Sequence, residues 1–129
     1  MEKFELSYQP APTAATQART EVTERLASRL GASVLEDVRL LVTELITNAL
    51  RHGKLTSGDR VSVKASVDEG VDRIEVRDPG NDGDVAPREP GARGGGYGLY
   101  LVDRLAKRWG VDRRDGTVVW CELARGTAR

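Results

Sequence analysis

The sequence predicts an α/β protein, a two-layer sandwich in which helices cover one face of a mixed, mostly antiparallel sheet. Three observations predict this class: strand-like alternation near both ends of the chain, two long segments with helical spacing, and two alternating segments joined by a short turn. Helices layered on a sheet are the usual way to bury such segments. With 129 residues and no internal repeat or linker, the chain is predicted to be one domain, residues 1–129.

The N-terminal half is predicted to contain one strand and two helices. Residues 3–8 alternate polar and apolar, and residues 14–30 carry apolar side chains at helical spacing. A second helix is expected to start at Ser33, where Glu36 completes a capping-box pattern, and to run to about residue 51. Its predicted apolar stripe comprises Val38, Leu41, Val42, Leu45, Ile46 and Ala49.

The C-terminal half is predicted to contain a hairpin, a long loop, a helix and a last strand. Residues 60–67 and 71–77 alternate on either side of a turn, as in an antiparallel hairpin. Residues 78–96 are rich in Gly, Pro and Asp, and loops of that length are often functional. Helical spacing returns in residues 97–109, and after a turn at Asp115 and Gly116 the strand pattern returns in residues 117–123.

Composition narrows the classes of function. Lys and Arg total 20 and Asp and Glu total 20, so the formal net charge is zero. Nucleic-acid binders usually carry a basic excess or stripe, so we expect no direct nucleic-acid partner. The single cysteine, Cys121, excludes an internal disulfide. No apolar run approaches the roughly 20 residues that cross a bilayer, and the N-terminus lacks signal-peptide features, so we expect a cytoplasmic protein without membrane insertion.

The predicted second helix carries three polar residues along one edge of its apolar stripe. Glu44, Asn48 and His52 are spaced four apart and therefore share one side of the helix. An amide oxygen suits Mg²⁺, a hard cation, and a carboxylate nearby can accept a proton from an attacking hydroxyl. An ordinary solvated helix face is the alternative interpretation of the same residues.

Two further motifs follow along the chain. Asp78, at the end of a predicted strand, can accept a hydrogen bond from an adenine amino group, and Gly80 lets the base approach the backbone; a plain β-turn is the alternative. Gly94, Gly96 and Gly98 lead into a helix that continues with Leu99. Bare amides at a helix N-terminus favour phosphate, although a flexible linker has the same composition and neither the Walker nor the dinucleotide spacing is present.

The ordered combination of these motifs resembles the ATPase family that includes gyrase, the Hsp90 chaperone, histidine kinases and MutL. It is most similar to the bacterial anti-sigma-factor serine kinases. Residues 44–52 read Glu-Leu-Ile-Thr-Asn-Ala-Leu-Arg-His, and residues 96–102 read Gly-Tyr-Gly-Leu-Tyr-Leu-Val, much as in those kinases. The resemblance covers nearly the whole chain and implies the Bergerat ATP-binding fold.

The resemblance implies a role for each motif residue. It makes Glu44 the general base toward the acceptor hydroxyl and Asn48 the ligand of the Mg²⁺ that bridges the ATP phosphates. It places the remaining residues around the nucleotide, namely His52, Asp78, Gly80, Gly94, Gly96, Gly98, Leu99 and Thr117. One departure is Asp82, which stands where the family often has a second glycine, in a loop that also carries Asp84 and Glu89.

The resemblance implies a protein serine/threonine kinase that transfers the γ-phosphoryl of ATP to a serine of a separate antagonist protein. It also implies a regulator of transcription that sequesters a sigma factor, and a homodimer, which is common in the family. A non-catalytic module that binds ATP and a partner without phosphoryl transfer is the alternative, and a scaffold independent of nucleotide is a third.

Overall fold

Three helices and five strands make up the part of the chain that the structure, a computed structural model, describes: residues 2–52, 55–68, 70–80, 98–113 and 115–124. In chain order the elements are β1 (Glu2–Tyr8), α1 (Ala14–Leu26), α2 (Ala32–His52), β2 (Val61–Asp68), β3 (Val71–Asp78), α3 (Gly98–Leu105), β4 (Arg108–Asp112) and β5 (Thr117–Ala124).

The five described strands form one open sheet in the order β1-β2-β3-β5-β4, and each pairing among them is antiparallel. The predicted α/β sandwich is confirmed, with the difference that the sheet is antiparallel instead of mixed. The connections explain this difference. Because α3 carries the chain back across the sheet, β3 and β4 point the same way, and β5 lies between them antiparallel to both.

Alternation along the strands divides the sheet into a core face and an exposed face. Register places Val63, Val76 and Val119 in one row, and each is at most 5% exposed. The predicted apolar stripe of α2 packs on this face, and its six residues are likewise no more than 5% exposed. On the opposite face the matching row, Lys64, Glu75 and Trp120, stays half-buried. The helices therefore cover one face, as predicted.

One end of the sheet collects the ends of several elements, and we call it the Asp78 end. Tyr8 of β1 pairs with Val61 of β2, and Asp78 of β3 pairs with Thr117 of β5. The C-terminal part of α2 reaches the same end, because it borders residues 10–12, which follow β1, across a groove of about 490 Å³. The C-terminal part of α2 and Asp78 thus lie at the same end of the molecule.

The chain leaves the third helix at the end of the sheet opposite Asp78. There the N–H of Lys107 donates to the carbonyl of Glu122 at 2.8 Å, and Arg108 of β4 pairs with Glu122. The helix packs against α2 and β4.

The prediction of a helix over residues 97–109 is wrong in its second half. The last helical bond joins the N–H of Ala106 to the carbonyl of Val102 at 2.9 Å, and from residue 108 the backbone forms β4. Trp109 and Val111 pair with Cys121 and Val119 of β5 and pack on the core. Spacing by four residues also places Trp109 on a helical stripe, and pairing with β5 overrides that local preference.

Two predicted helix boundaries also differ. The capping box at Ser33 and Glu36 is not formed, because α2 begins at Ala32 and the carbonyl of Gly31 accepts the N–H of Leu35 at 3.0 Å. Ser33 therefore lies inside the first turn. The first helix ends at Leu26 instead of residue 30, although Leu30 remains in the core at 6% exposed.

Two neighbouring leucines of α2 test how much this packing contributes to stability. Leu41 is 0% exposed and Leu40 is 44% exposed. We expect Leu41→Ala to lower the free energy of unfolding by about 2–5 kcal/mol through lost burial and a residual cavity. The matched control Leu40→Ala should change it by no more than about 0.5 kcal/mol. Urea denaturation measures both, and equal effects would contradict the assigned orientation of α2.

Candidate functional site

Asp78 is a buried carboxylate at the last position of β3. It continues the row of Ile74 and Val76 on the core face, because strand residues two apart share a face. Its exposure is 5%, against 1% and 2% for those two apolar residues. A carboxylate is expensive to bury without partners, so its presence in this row indicates a specific role.

The chain after Asp78 folds back onto its side chain. The N–H of Gly80 donates to Oδ1 of Asp78 at 2.8 Å, which is the geometry of an Asx turn. Among the described residues this is the one hydrogen bond that the carboxylate accepts, so Oδ2 can accept from another donor. The plain-turn interpretation explains the backbone here, but a plain turn does not require a buried carboxylate.

Thr117 joins the same group from the neighbouring strand. It pairs with Asp78 in the sheet, is 5% exposed, and its Oγ1 donates to the carbonyl of Gly80 at 2.6 Å. The structure therefore brings three of the predicted residues together, since Asp78, Gly80 and Thr117 are linked by two hydrogen bonds.

Burial changes the acidity of the Asp78 carboxyl. It raises the pKa above the usual aspartate value, while the hydrogen bond from Gly80 opposes the rise and the negative charge of Asp59 adds to it. The net direction is upward, because the loss of hydration by the charged form outweighs the hydrogen bond from Gly80. A further donor from a ligand would therefore interact strongly with this group.

The predicted polar edge of α2 is present. Glu44 and Asn48 lie one turn apart and are half-buried beside the core stripe, and α2 packs against both β3 and α3. Burial raises the pKa of the Glu44 carboxyl, and the positive charge of Arg51 partly offsets the rise. His52 is the last residue of α2, and its side chain lies outside the described part of the structure.

The glycine-rich motif is described only at its end. Gly94 and Gly96 lie outside the described residues, and Gly98 is the first residue of α3. The side chain of Leu99 is 5% exposed and belongs to the hydrophobic core. Leu99 could therefore contact a ligand through its backbone N–H at the helix start, and its side chain anchors that start to the core.

The described residues contain neither a cluster of metal-binding side chains nor a membrane-spanning helix. No group of three or more His, Cys, Asp or Glu side chains is arranged to hold a metal ion there. None of the described helices is both long enough and apolar enough to span a bilayer. Cys121 is buried in the core, which raises the pKa of its thiol to about 12.

Sequence reasoning missed two residues that connect the end of β3 with the turn before β5. Gly116 lies against the carbonyl of Asp78, and Arg77 donates to the carbonyl of Asp115 at 2.8 Å. The Asp115-Gly116 pair was predicted as a turn, and its position directly before Thr117 was the available signal. Its contact with Asp78 depends on strand register, which local sequence does not give.

Comparison with known proteins identifies the family of the chain. The sequence model of the histidine kinase-like ATPase domain matches residues 8–122, a range that contains every candidate residue named above. The chain is 31% identical over 109 residues to the serine-protein kinase RsbW of Bacillus licheniformis, with 73% of this chain and 68% of RsbW covered. It is 38% identical over 89 residues to an uncharacterised protein of Streptomyces coelicolor, with 64% of this chain and 81% of that protein covered.

Proposed function

The chain belongs to the histidine kinase-like ATPase family, and from this premise we propose that it is a regulatory serine/threonine protein kinase of the anti-sigma-factor type. It binds ATP, transfers the γ-phosphoryl to a serine of a separate antagonist protein, and sequesters a sigma factor when that antagonist is absent. The similarity to RsbW supports this assignment. The observation that carries ATP binding is the buried carboxylate of Asp78, which accepts one hydrogen bond from the described residues and lies beside Gly80 and Thr117.

Asp78 recognises adenine in this proposal. Its Oδ1 is held by the N–H of Gly80, so Oδ2 faces the base and accepts a hydrogen bond from the adenine 6-amino group. Gly80 has no side chain to separate the base from the backbone. Thr117 fixes the turn, because its hydroxyl donates a hydrogen bond to the Gly80 carbonyl. The hydroxyl oxygen can still accept a hydrogen bond from a ligand.

Asn48 supplies the protein's ligand to the metal. Its amide oxygen is of the type that Mg²⁺ prefers, so Asn48 would hold the ion when it binds together with ATP. When bound, Mg²⁺ neutralises phosphate charge during transfer. His52 follows Asn48 one turn later, at the end of α2, and in the proposal borders the phosphates.

Glu44 acts as the general base. The serine hydroxyl oxygen forms a bond to the γ-phosphorus, the bond from that phosphorus to the β–γ bridging oxygen breaks, and the hydroxyl proton passes to Glu44. The raised pKa of the Glu44 carboxyl suits this role, because a carboxylate in a half-buried site is a stronger base than one in water. Gly94, Gly96, Gly98 and the backbone of Leu99 contribute amides to the phosphates.

A non-catalytic module is the second candidate, and one sequence feature favours it. Asp82, Asp84 and Glu89 place negative charge in the segment that would border the triphosphate. Like charges there oppose tight binding unless Mg²⁺ or the nearby arginines, Arg88 and Arg93, offset them. Such a chain would bind ATP and a partner without transferring phosphate. Under either candidate we propose a cytoplasmic, single-domain protein that can form a homodimer.

Incubation with γ-labelled ATP and Mg²⁺ separates the two candidates. We expect label on a serine of a co-expressed antagonist protein, and none when that serine is replaced by alanine. ATP binding by calorimetry without any labelled product would support the non-catalytic module. No binding of ATP at all would contradict both candidates.

A further inference from the structure

The turn between β4 and β5 has a backbone that few residues can adopt. Asp115 has φ 56° and Gly116 has φ 94°, so two consecutive residues are left-handed. Glycine adopts a left-handed backbone freely and aspartate tolerates it better than most residues, so Asp-Gly suits these two positions. The conformation aims the Gly116 backbone at the end of β3.

Gly116 touches the Asp78 backbone directly. A Cβ atom at Gly116 would lie 2.5 Å from the carbonyl oxygen of Asp78 and 3.2 Å from Cα of Pro79. Both neighbours are backbone atoms, which cannot rotate away as a side chain can. Any side chain at this position must therefore displace the turn that begins at Asp78.

Two hydrogen bonds hold the hairpin turn against the Asp78 turn. Nη1 of Arg77 donates to the carbonyl of Asp115 at 2.8 Å, and Oγ1 of Thr117 donates to the carbonyl of Gly80 at 2.6 Å. On the solvent side lies a cleft of about 450 Å³ lined by Arg60, Arg77, Pro79 and Gly116 among others. The Asp78 turn thus has space to move outward if these contacts are lost.

We infer that the Asp115-Gly116 turn is a positioning element for Asp78, with Gly116 and Arg77 as its positioning residues. The inference rests on the proposed role of Asp78 in reading adenine. Gly116 sets how closely β5 approaches the Asp78 carbonyl, and Arg77 fixes the turn on β3. Together they determine where Oδ2 of Asp78 lies relative to a bound base.

Gly116→Ala tests the close approach, and Gly70→Ala is its matched control. Gly70 has φ 81°, so alanine meets a similar backbone penalty there, but a Cβ at Gly70 has nothing within 4 Å. Both variants should lose similar stability from the left-handed backbone. Only Gly116→Ala should weaken ATP binding, roughly tenfold or more, since displacements of about 1 Å have effects of this size at functional sites.

The selectivity for adenine distinguishes a displaced Asp78 from a general loss of nucleotide binding. Inosine triphosphate lacks the 6-amino group, so the ratio of its Kd to that of ATP measures the Asp78 contact. We expect this ratio to fall toward one in Gly116→Ala and to keep the wild-type value in Gly70→Ala. A wild-type ratio in Gly116→Ala would overturn the inference.

Arg77→Gln provides a variant that keeps the backbone unchanged. Arg77 is exposed, so folding should tolerate the change, and we expect the selectivity ratio to fall about threefold to tenfold on loss of one hydrogen bond. Arg60→Gln removes the same charge from the same cleft, where Arg60 bonds Ser7 instead of the turn. Equal effects of the two arginine variants would overturn the role of Arg77.

A readout without nucleotide separates this inference from the proposed function. The amide resonance of Gly80 reports its hydrogen bond to Asp78. We expect Gly116→Ala to shift this resonance and Gly70→Ala to leave it in place. If the wild type binds no ATP, the proposed function fails, and the Gly80 resonance still decides whether the turn positions Asp78. An unshifted Gly80 resonance in Gly116→Ala overturns the inference even if ATP binds as proposed.

Discussion

Replacement of Asp78 by asparagine is expected to weaken ATP binding roughly 100-fold or more while the fold stays intact. The asparagine oxygen can replace Oδ1 and keep the bond from the Gly80 N–H. Its NH₂ group then occupies the position of Oδ2 and opposes the adenine amino group, donor against donor. The variant therefore removes base recognition without removing the turn, and calorimetry with Mg²⁺-ATP measures the loss.

Stability gives an independent check on the same variant. A carboxyl whose pKa is raised by folding contributes stability that is fully present below its unfolded pKa and is lost as the pH rises through its folded pKa. Burial raises the pKa of Asp78, so the wild type loses this contribution as the pH rises through that raised pKa. Asparagine does not titrate, and we expect Asp78→Asn to unfold at an equal or higher urea concentration at pH 7.

Asp72→Asn is the matched control for base recognition. Asp72 lies on the same face of the same strand and is 1% exposed, but it pairs with Leu123 and Val67 at the opposite end of the sheet. Whatever its effect on stability, its folded fraction should bind ATP with wild-type affinity. If Asp78→Asn binds as well as the wild type, the adenine site has been placed wrongly.

The sequence predicted those parts of the site that depend on one element. Alternation in β3 places Asp78 at the end of a buried row, and helical spacing in α2 places Glu44 and Asn48 on one edge of the apolar stripe. Both follow from local periodicity. The order of the motifs along the chain identified the family, which the match over residues 8–122 confirms.

The parts that could not be predicted depend on contacts between distant segments. Trp109 satisfies a helical period as well as a strand period, and only its pairing with Cys121 decides between them. From the sequence, Gly116 looks like an ordinary turn glycine. It lies against the Asp78 carbonyl only because the strand register pairs Asp78 with Thr117. Neither register is encoded in a short window of sequence.

The change from Glu44 to glutamine is expected to slow phosphoryl transfer at least 100-fold and to leave ATP binding unchanged. Glutamine keeps the size and polarity of the side chain but cannot accept the hydroxyl proton. A general base contributes about 100-fold to 10,000-fold to a rate, so single-turnover transfer to the antagonist should fall by that factor. Glu36→Gln, an exposed change on the same helix, should transfer at the wild-type rate.

The pH dependence of phosphoryl transfer tests whether Glu44 is the general base. Only the ionised carboxylate can accept the proton, and burial raises the pKa of Glu44 above its usual value. The wild-type rate should therefore fall as the pH is lowered, with a midpoint above that of an exposed glutamate. The residual rate of Glu44→Gln should lack this acid limb.

These measurements also separate a base from a residue that only binds. If Glu44 merely held Mg²⁺-ATP, Glu44→Gln would raise the Kd for ATP and leave the single-turnover rate at saturation unchanged. If Glu44 is the base, Glu44→Gln leaves the Kd for ATP constant and lowers the single-turnover rate, because proton transfer to Glu44 occurs only in the transition state. The non-catalytic module predicts a third result. The wild type would then bind ATP but label no serine, and Glu44→Gln would leave the Kd for ATP unchanged.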